Sequence, residues 1–390
     1  MVAQSALADS DEQKELRDSV RRLLRDKAPL SAVRDGADSG ADSGADSGAD
    51  SGADSGAGFD RDLWRRLAEL GLTALAVPEK YDGLGQTALE TGVVFEEMGR
   101  ALYHGPYLAT VGLAVPALLL SGDEAACAEL LPAIGAGESI ATVAVAEADG
   151  LFDTATTATV AVREGDGWRL SGTKQFVLDG VAADLLLVTA RDGENVSLFA
   201  VRGAADGLTR TAVESLDLAR SVARVDLDNT PARLIGVAGS APAVVEQILD
   251  RALLALAAEQ AGGTEACLAM CVEYAKTRQQ FGRPIGSFQA VAHKLVDMLH
   301  QAEFSRASAR YAAAAEAEGD AEFPVAVRVA AAYCGEAFRK VTVETVQTHG
   351  GTGFTWEHDT HLYYRRAWSA QHLFAGRQEH FAAIADRIGL

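Results

Sequence analysis

The sequence predicts a mainly α-helical protein with a β domain in its middle. The expected parts are an N-terminal helical domain (residues 1–138), a β-barrel-like domain (139–238) and a C-terminal four-helix bundle (239–390). Three observations predict this order. Apolar residues recur at helical spacing through the first third. The texture changes near Ser139 to short β-branched runs split by Gly and Asp turns. From Ala241 long alanine-rich segments return, separated by short loops, as in an antiparallel bundle.

The first helix is marked by Leu16, Val20, Leu23 and Leu24 at i, i+4, i+7, i+8, and Pro29 ends it. The run GADSGADSGADSGADSGADSGAG follows, from Gly36 to Gly58. It has no apolar face at any period, so a mobile surface loop is expected there. Lengthening a surface turn costs little, because closure entropy grows only logarithmically. FDRDLWRRLAELGL then puts Phe59, Leu63, Leu67 and Leu70 on one stripe, with Asp60 as N-cap. ALETGVVFEEMGRAL and DEAACAELLPAIGAG read as two more helices. In the middle domain REGDGWRL reads as a hairpin with Asp166-Gly167 at its turn. The bundle is expected from VVEQILDRALLALAAEQAGGTEACLAMCVEYAKTRQQFG, SFQAVAHKLVDMLHQAEFSRASARYAAAAEAEG, FPVAVRVAAAYCGEAFRKVTVETVQTHGG and a shorter fourth helix, WSAQHLFAGRQEHFAAIADRIG.

A balance of 35 basic and 55 acidic residues argues against nucleic acid, which needs a basic face. The four cysteines are too sparse for a disulfide framework and suggest a reducing cytoplasm. Cys267 and Cys271, four apart on a helix, read as core packing rather than a zinc site. His349, His358 and His361 match no metal-ligand spacing either, so no metal is expected. The N-terminus shows no signal-peptide pattern, and LATVGLAVPALLL is too short to span a bilayer.

YAKTRQQFGRPIGSFQAVAHKLVDM carries the most chemistry. A helix ends at RQQFG, where Arg278 could hold a phosphate in a bidentate way and Phe281 offers a flat face to a ring. Residue chemistry alone favours a plainer reading: an Arg at a helix C-terminus and a Phe closing the bundle. HGGTG could suggest an oxyanion loop, but there is no G-x-S-x-G nucleophile elbow and no strand before it. Arg365 and Arg366, after Tyr363 and Tyr364, are placed to pair with acids across the bundle or an interface.

This stretch, and QTHGGTGFTWEHDTHLYYRRA after it, resemble the acyl-CoA dehydrogenase family, as does the helix–β–helix order. The likeness covers nearly the whole chain except the repeat. It implies FAD at a subunit interface, with Arg278, Gln280 and Phe281 against the pyrophosphate and ribityl part of a flavin held mainly by the neighbouring subunit. Gln347, Gly350, Gly351 and Gly353 would lie against the adenine end. The implied reaction is α,β-dehydrogenation of an acyl-CoA. A carboxylate removes the α-proton, the β-hydrogen leaves as hydride to the flavin, and the electrons pass to an electron-transfer flavoprotein.

The sequence departs from the family pattern in one half of the site. The family places its catalytic Glu late in the chain, where Phe374 or Ala375 stands here, or early in the first bundle helix, where Ala252 stands. Glu259 and Glu379 are the fallback bases, each displaced from those positions. The strand that usually carries a Thr and a following Ser reads VAVAEADGLFD, with Ala146 for the Thr and Phe152 near the Ser. The Trp-x-Thr beside the ring reads Phe176 and Leu178. The half-site offered to a neighbour is intact; the chain's own ring site and its base are degraded. The combination resembles a base-less partner subunit in an α2β2 acyl-CoA dehydrogenase paired with a homologous catalytic subunit. Two alternatives stay open: a self-sufficient homo-oligomer using Glu259 or Glu379, and a flavin-free scaffold binding acyl-CoA or protein.

Overall fold

The computed structural model describes residues 8–34 and 59–390. The GADS repeat lies outside the described residues, and with it the expectation of a mobile loop.

Helix α1 (Asp11–Lys27) starts in a capping box in which Ser10 and Gln13 satisfy each other's backbone N–H groups. It stops before Pro29. Asp60 caps α2 (Arg61–Glu69) as expected, its carboxylate accepting from the N–H groups of Asp62 and Leu63. Leu63 and Leu67 of the α2 stripe are buried, whereas Leu70, past the last turn, is exposed. A second capping box, Thr87 with Glu90, opens α3 (Ala88–Arg100). A π-helical segment, Leu108–Ala114, runs into α4 (Val115–Leu120), and α5 (Glu124–Gly135) completes the N-terminal helices.

The middle strands are β1 (Ala141–Ala144), β2 (Val160–Glu164), β3 (Gly167–Leu178), β4 (Leu185–Asp192), β5 (Asn195–Arg202), β6 (Leu208–Ala212) and β7 (Val222–Ile235). They form one sheet in the order β1-β4-β2-β3-β7-β5, and β5 pairs back onto β4, closing a barrel. Leu170, Leu186, Phe199 and Val225 fill its interior. The β2–β3 hairpin differs by one residue from expectation. Glu164 faces Gly167, so the turn residues are Gly165 and Asp166, with Gly165 at φ 59°. The glycine needed at positive φ stands before the aspartate, not after it.

The bundle contains α6 (Ala241–Thr277), α7 (Gln289–Ala317) and α8 (Phe323–His349). The expected single fourth helix is two: α9 (Thr360–Ala370) and α10 (Arg377–Arg387), parted by residues 371–376. Apolar spacing carried across the break, but Gly376 stands in extended backbone as the N-cap of α10. Phe374 lies in this break.

The helical domains share one core. Leu24, Leu67, Phe95, Leu118, Leu253 and Val327 belong to a single buried cluster. Cys267 and Cys271 are fully buried, packed with Phe338 and Val341. Helices α3 and α6 cross backbone to backbone. A Cβ on Gly99 would lie 1.8 Å from the Glu259 carbonyl oxygen, and one on Gly262 would lie 1.8 Å from that of Glu96. Only glycine permits this approach, and it brings Glu259 into the interior.

Candidate active site

Two faces of the molecule hold the residues singled out from the sequence. The first is the far end of the bundle, where α6 and α8 finish. Arg278 is the C-cap of α6, and its N–H donates to the Tyr274 carbonyl at 2.8 Å. The chain then folds into a minimal hairpin of β8 (Gln279–Gln280) and β9 (Arg283–Pro284). Phe281 and Gly282 form its tip at φ 53° and 75°, both left-handed. That conformation is uncommon for a bulky residue. Here it lifts the Phe281 ring away from the protein, leaving it 91% exposed. Arg278 and Gln280 are exposed beside it. Among the described residues, no ion pair involves Arg278.

Helix α8 ends at His349, and Gly350–Phe354 form a 3-10 turn. Gln347, Gly350 and Gly351 are exposed, and a Cβ added to either glycine would meet nothing within 4 Å. The backbone is therefore bare for a ligand. Gly353 differs: it is buried, and a Cβ there would lie 2.8 Å from the Val346 carbonyl. Packing against α8 is sufficient reason for glycine at that position. The two motifs adjoin because the Tyr274 ring stacks on His349, with centroids 4.4 Å apart at 29°.

The second face is the cleft between the barrel and the bundle. Ala146, Phe176, Leu178, Trp368 and Phe374 line a cavity of about 400 Å³ there. Ala146 and Leu178 are buried apolar residues. Phe176 sits at φ 54° with its ring against Gly150. A larger cavity of about 680 Å³ adjoins it, bounded by α6, α8 and α10. Phe152 and Phe374 line both cavities. Their rings meet edge to face, centroids 5.3 Å apart.

The positions at or near a base are now placed. Ala252 is fully buried in α6. Phe374 is 8% exposed, and Ala375 follows it in the break. Glu379 is exposed in the first turn of α10, lines the larger cavity, and folds its carboxylate back over Gly376. Glu259 is buried in a cluster of charges. Its carboxylate accepts from Arg366 at 2.7 Å and from Arg220, and Arg366 also pairs with Asp217. Burial alone would raise the Glu259 pKa; the two guanidiniums outweigh it and hold the carboxyl below its usual value. A carboxylate held this way is a weak base and cannot swing out without abandoning two buried cations. The cluster joins the β6–β7 connection to α6 and α9, so Arg366 does pair across domains. Arg251, near the early base position, pairs instead with Glu316 at 3.2 Å.

Two buried groups went unnoticed in the sequence. Lys174 is fully buried in the barrel, its ammonium donating to Glu147 at 2.6 Å, Thr189 at 3.0 Å and the Val145 carbonyl at 3.1 Å. Burial pulls its pKa down to about 8 against the pull of Glu147. Asp179, next to Leu178, has its carboxyl pushed up to about 7 by burial, which outweighs Arg220 and Arg366. A charged residue at an inward-facing strand position is the signal that Lys174 gave.

The two faces differ in their fit to a flavin dinucleotide. The bundle end offers an arginine, an exposed aromatic ring and open glycine backbone, which suit a pyrophosphate and a flat heterocycle. The inner cleft is lined by Ala146, Leu178, Phe152 and Phe374, which offer a flavin ring no hydroxyl donor.

Helical domains before and after a β-barrel make the three-part architecture of a class of flavoprotein oxidoreductases. The chain belongs to the acyl-CoA dehydrogenase family, whose members bind FAD and oxidise CH–CH bonds. It matches the family's N-terminal domain over residues 10–138, middle domain over 142–227 and C-terminal domain over 242–388. It is 31% identical to acyl-CoA dehydrogenase IpdE2 of Mycolicibacterium smegmatis, over 97% of this chain and 99% of that one. Among solved structures it resembles a variant of the Tcur3481–Tcur3483 steroid ACAD (32% identity, TM-score 0.81, covering 97% and 98% of the two chains). It also resembles the ChsE4–ChsE5 complex from Mycobacterium tuberculosis (28% identity, TM-score 0.81, covering 98% of each). Among the described residues no helix is long and apolar enough to cross a membrane.

Proposed function

We propose that this chain is the non-catalytic partner subunit of a heteromeric FAD-dependent acyl-CoA dehydrogenase. It lends the outward half of a flavin site to a homologous subunit that carries the base. The reaction of the complex is α,β-dehydrogenation of an acyl-CoA thioester, with electrons leaving to an electron-transfer flavoprotein in the cytoplasm. The observation that carries this reading is the Phe152–Phe374 contact. One ring replaces the expected base and the other stands near the expected flavin-binding hydroxyl, while Arg278, Gln280, Phe281 and the Gly350-Gly351 backbone stay open to solvent. Two similar solved structures, named above, are two-component assemblies by name, and one is called a steroid ACAD. A steroid-derived acyl-CoA is the substrate class this supports.

The chain acts on the cofactor through position alone. Arg278 would neutralise pyrophosphate charge, Phe281 would offer its exposed face, and the bare glycines would let backbone N–H groups approach. FAD itself supplies the hydride-accepting chemistry.

Co-expression with candidate catalytic subunits, followed by native mass and flavin-to-chain ratio, tests the proposal. The expected result is an equimolar complex with one FAD per pair of unlike chains, and a chain that alone holds little FAD and turns nothing over. Stoichiometric FAD and turnover from the isolated homo-oligomer would sink it. In that case Glu379, which lines the same cavity as Phe374, is the base to test, by Glu379→Gln.

A further inference from the structure

The outward half-site is made of two motifs distant in sequence, and a path of backbone hydrogen bonds and ring contacts joins them. Arg278 is tied by its N–H to the Tyr274 carbonyl at 2.8 Å. The Tyr274 ring stacks on His349 at 4.4 Å, and His349 meets His358 at 4.6 Å between centroids. His349 is buried, and its Nδ1 donates to the Thr345 carbonyl at 2.8 Å, which fixes the ring plane. The His358 Nδ1 accepts from the Thr360 N–H at 3.3 Å, and the Thr360 hydroxyl donates to the Gly353 carbonyl at 2.8 Å. The path therefore runs from the arginine of one motif to the glycine turn of the other. Arg34, ion-paired to Asp359, and His361 are the other charged or titratable groups around His358.

We propose that Tyr274, His349 and His358 are positioning residues that set the spacing between Arg278 and the Gly350-Gly351 turn, and so fix how tightly the neighbouring subunit's flavin dinucleotide is held. The proposal rests on the functional reading above, since it needs that cradle to be used. Ring stacking holds the two helix ends together. The stack is also acid-sensitive by construction. Burial, with His349 and Arg34, holds His358 below the ordinary histidine pKa of 6.5. Protonating it places a cation against His349 and beside Arg34, which loosens the contact.

The test uses the co-expressed complex and reads FAD release by its fluorescence after dilution. His358→Ala is expected to speed release about tenfold at neutral pH, the scale of one lost stacking contact. His349→Phe, which keeps a flat ring, should stay within about threefold of wild type at neutral pH, and the faster release expected of wild type as pH falls below the ordinary histidine value should be lost in His358→Ala. Since His349 is buried, His358→Ala at the half-exposed site serves where a His349 variant fails to assemble. Wild-type release from His358→Ala at neutral pH overturns the proposal, as does an acid acceleration in the His358→Ala complex as large as that of wild type. A wild-type complex without FAD overturns the functional reading and this proposal with it.

Discussion

Phe152 of the barrel and Phe374 of the bundle meet edge to face, ring centroids 5.3 Å apart at 76°. The contact is part of the large core cluster, with Phe374 buried and Phe152 packed against it. Truncating Phe374 to Ala should cost about 3–5 kcal/mol of folding stability. A double-mutant cycle with Phe152→Ala should return a coupling of about 0.5–1.5 kcal/mol. Denaturant titration measures both. Turnover of the co-expressed complex per folded subunit should hold within about threefold, because the pair takes no part in proton removal.

Glu259→Gln separates a structural carboxylate from a catalytic one. Removing the charge leaves Arg220 and Arg366 buried with Asp217 as their remaining close acid. The expected loss is about 3–5 kcal/mol of stability, with turnover per folded complex nearly unchanged. A fall of about 10²-fold or more in turnover at unaltered stability would instead make Glu259 a base.

Asp179 predicts a pH dependence with a definite sign. Its carboxyl has a pKa of about 7 in the folded chain against an ordinary 3.8. The folded state therefore keeps a proton that the unfolded chain releases. This group's contribution to stability is full below pH 3.8 and is lost as pH rises to 7. The loss is at most about 4 kcal/mol. Asp179→Asn should flatten that slope, raising the melting temperature more at about pH 8 than at about pH 4.

Arg278→Ala tests the outward cradle directly. The side chain is exposed and, among the described residues, makes no ion pair, so stability should change by less than about 0.5 kcal/mol. The FAD content of the purified complex should fall while subunit stoichiometry is kept. Flavin absorbance against chain mass reads both quantities. An unchanged flavin ratio would remove Arg278 from the cradle.

Much of the fold was legible in the sequence. Asp60 caps α2 because it stands just before an apolar period, and both the pattern and the cap are local. That Ala146, Phe152, Leu178 and Phe374 are apolar was also readable, whereas their gathering around one cleft was not. The break that splits α9 from α10 was not, because apolar spacing runs through it and Gly376 gave a weak signal. Lys174 gave a signal only through its inward strand position, and Asp179 gave none.

The sequence by itself determined the order of helices, barrel and bundle, the motifs at the two helix ends, and the apolar side chains at Ala252, Phe374 and Ala375. These properties depend on neighbours along the chain: side-chain period, turn chemistry and residue type. Tertiary structure decided what the distant residues do to one another. It brought Phe152 onto Phe374, set Tyr274 on His349, and drew Glu259 into a cage of arginines through the Gly99–Gly262 crossing. Those outcomes depend on how closely two backbones can approach and which charges are then shut away from water. Burial and distance of that kind are set by packing and are absent from any single stretch of sequence.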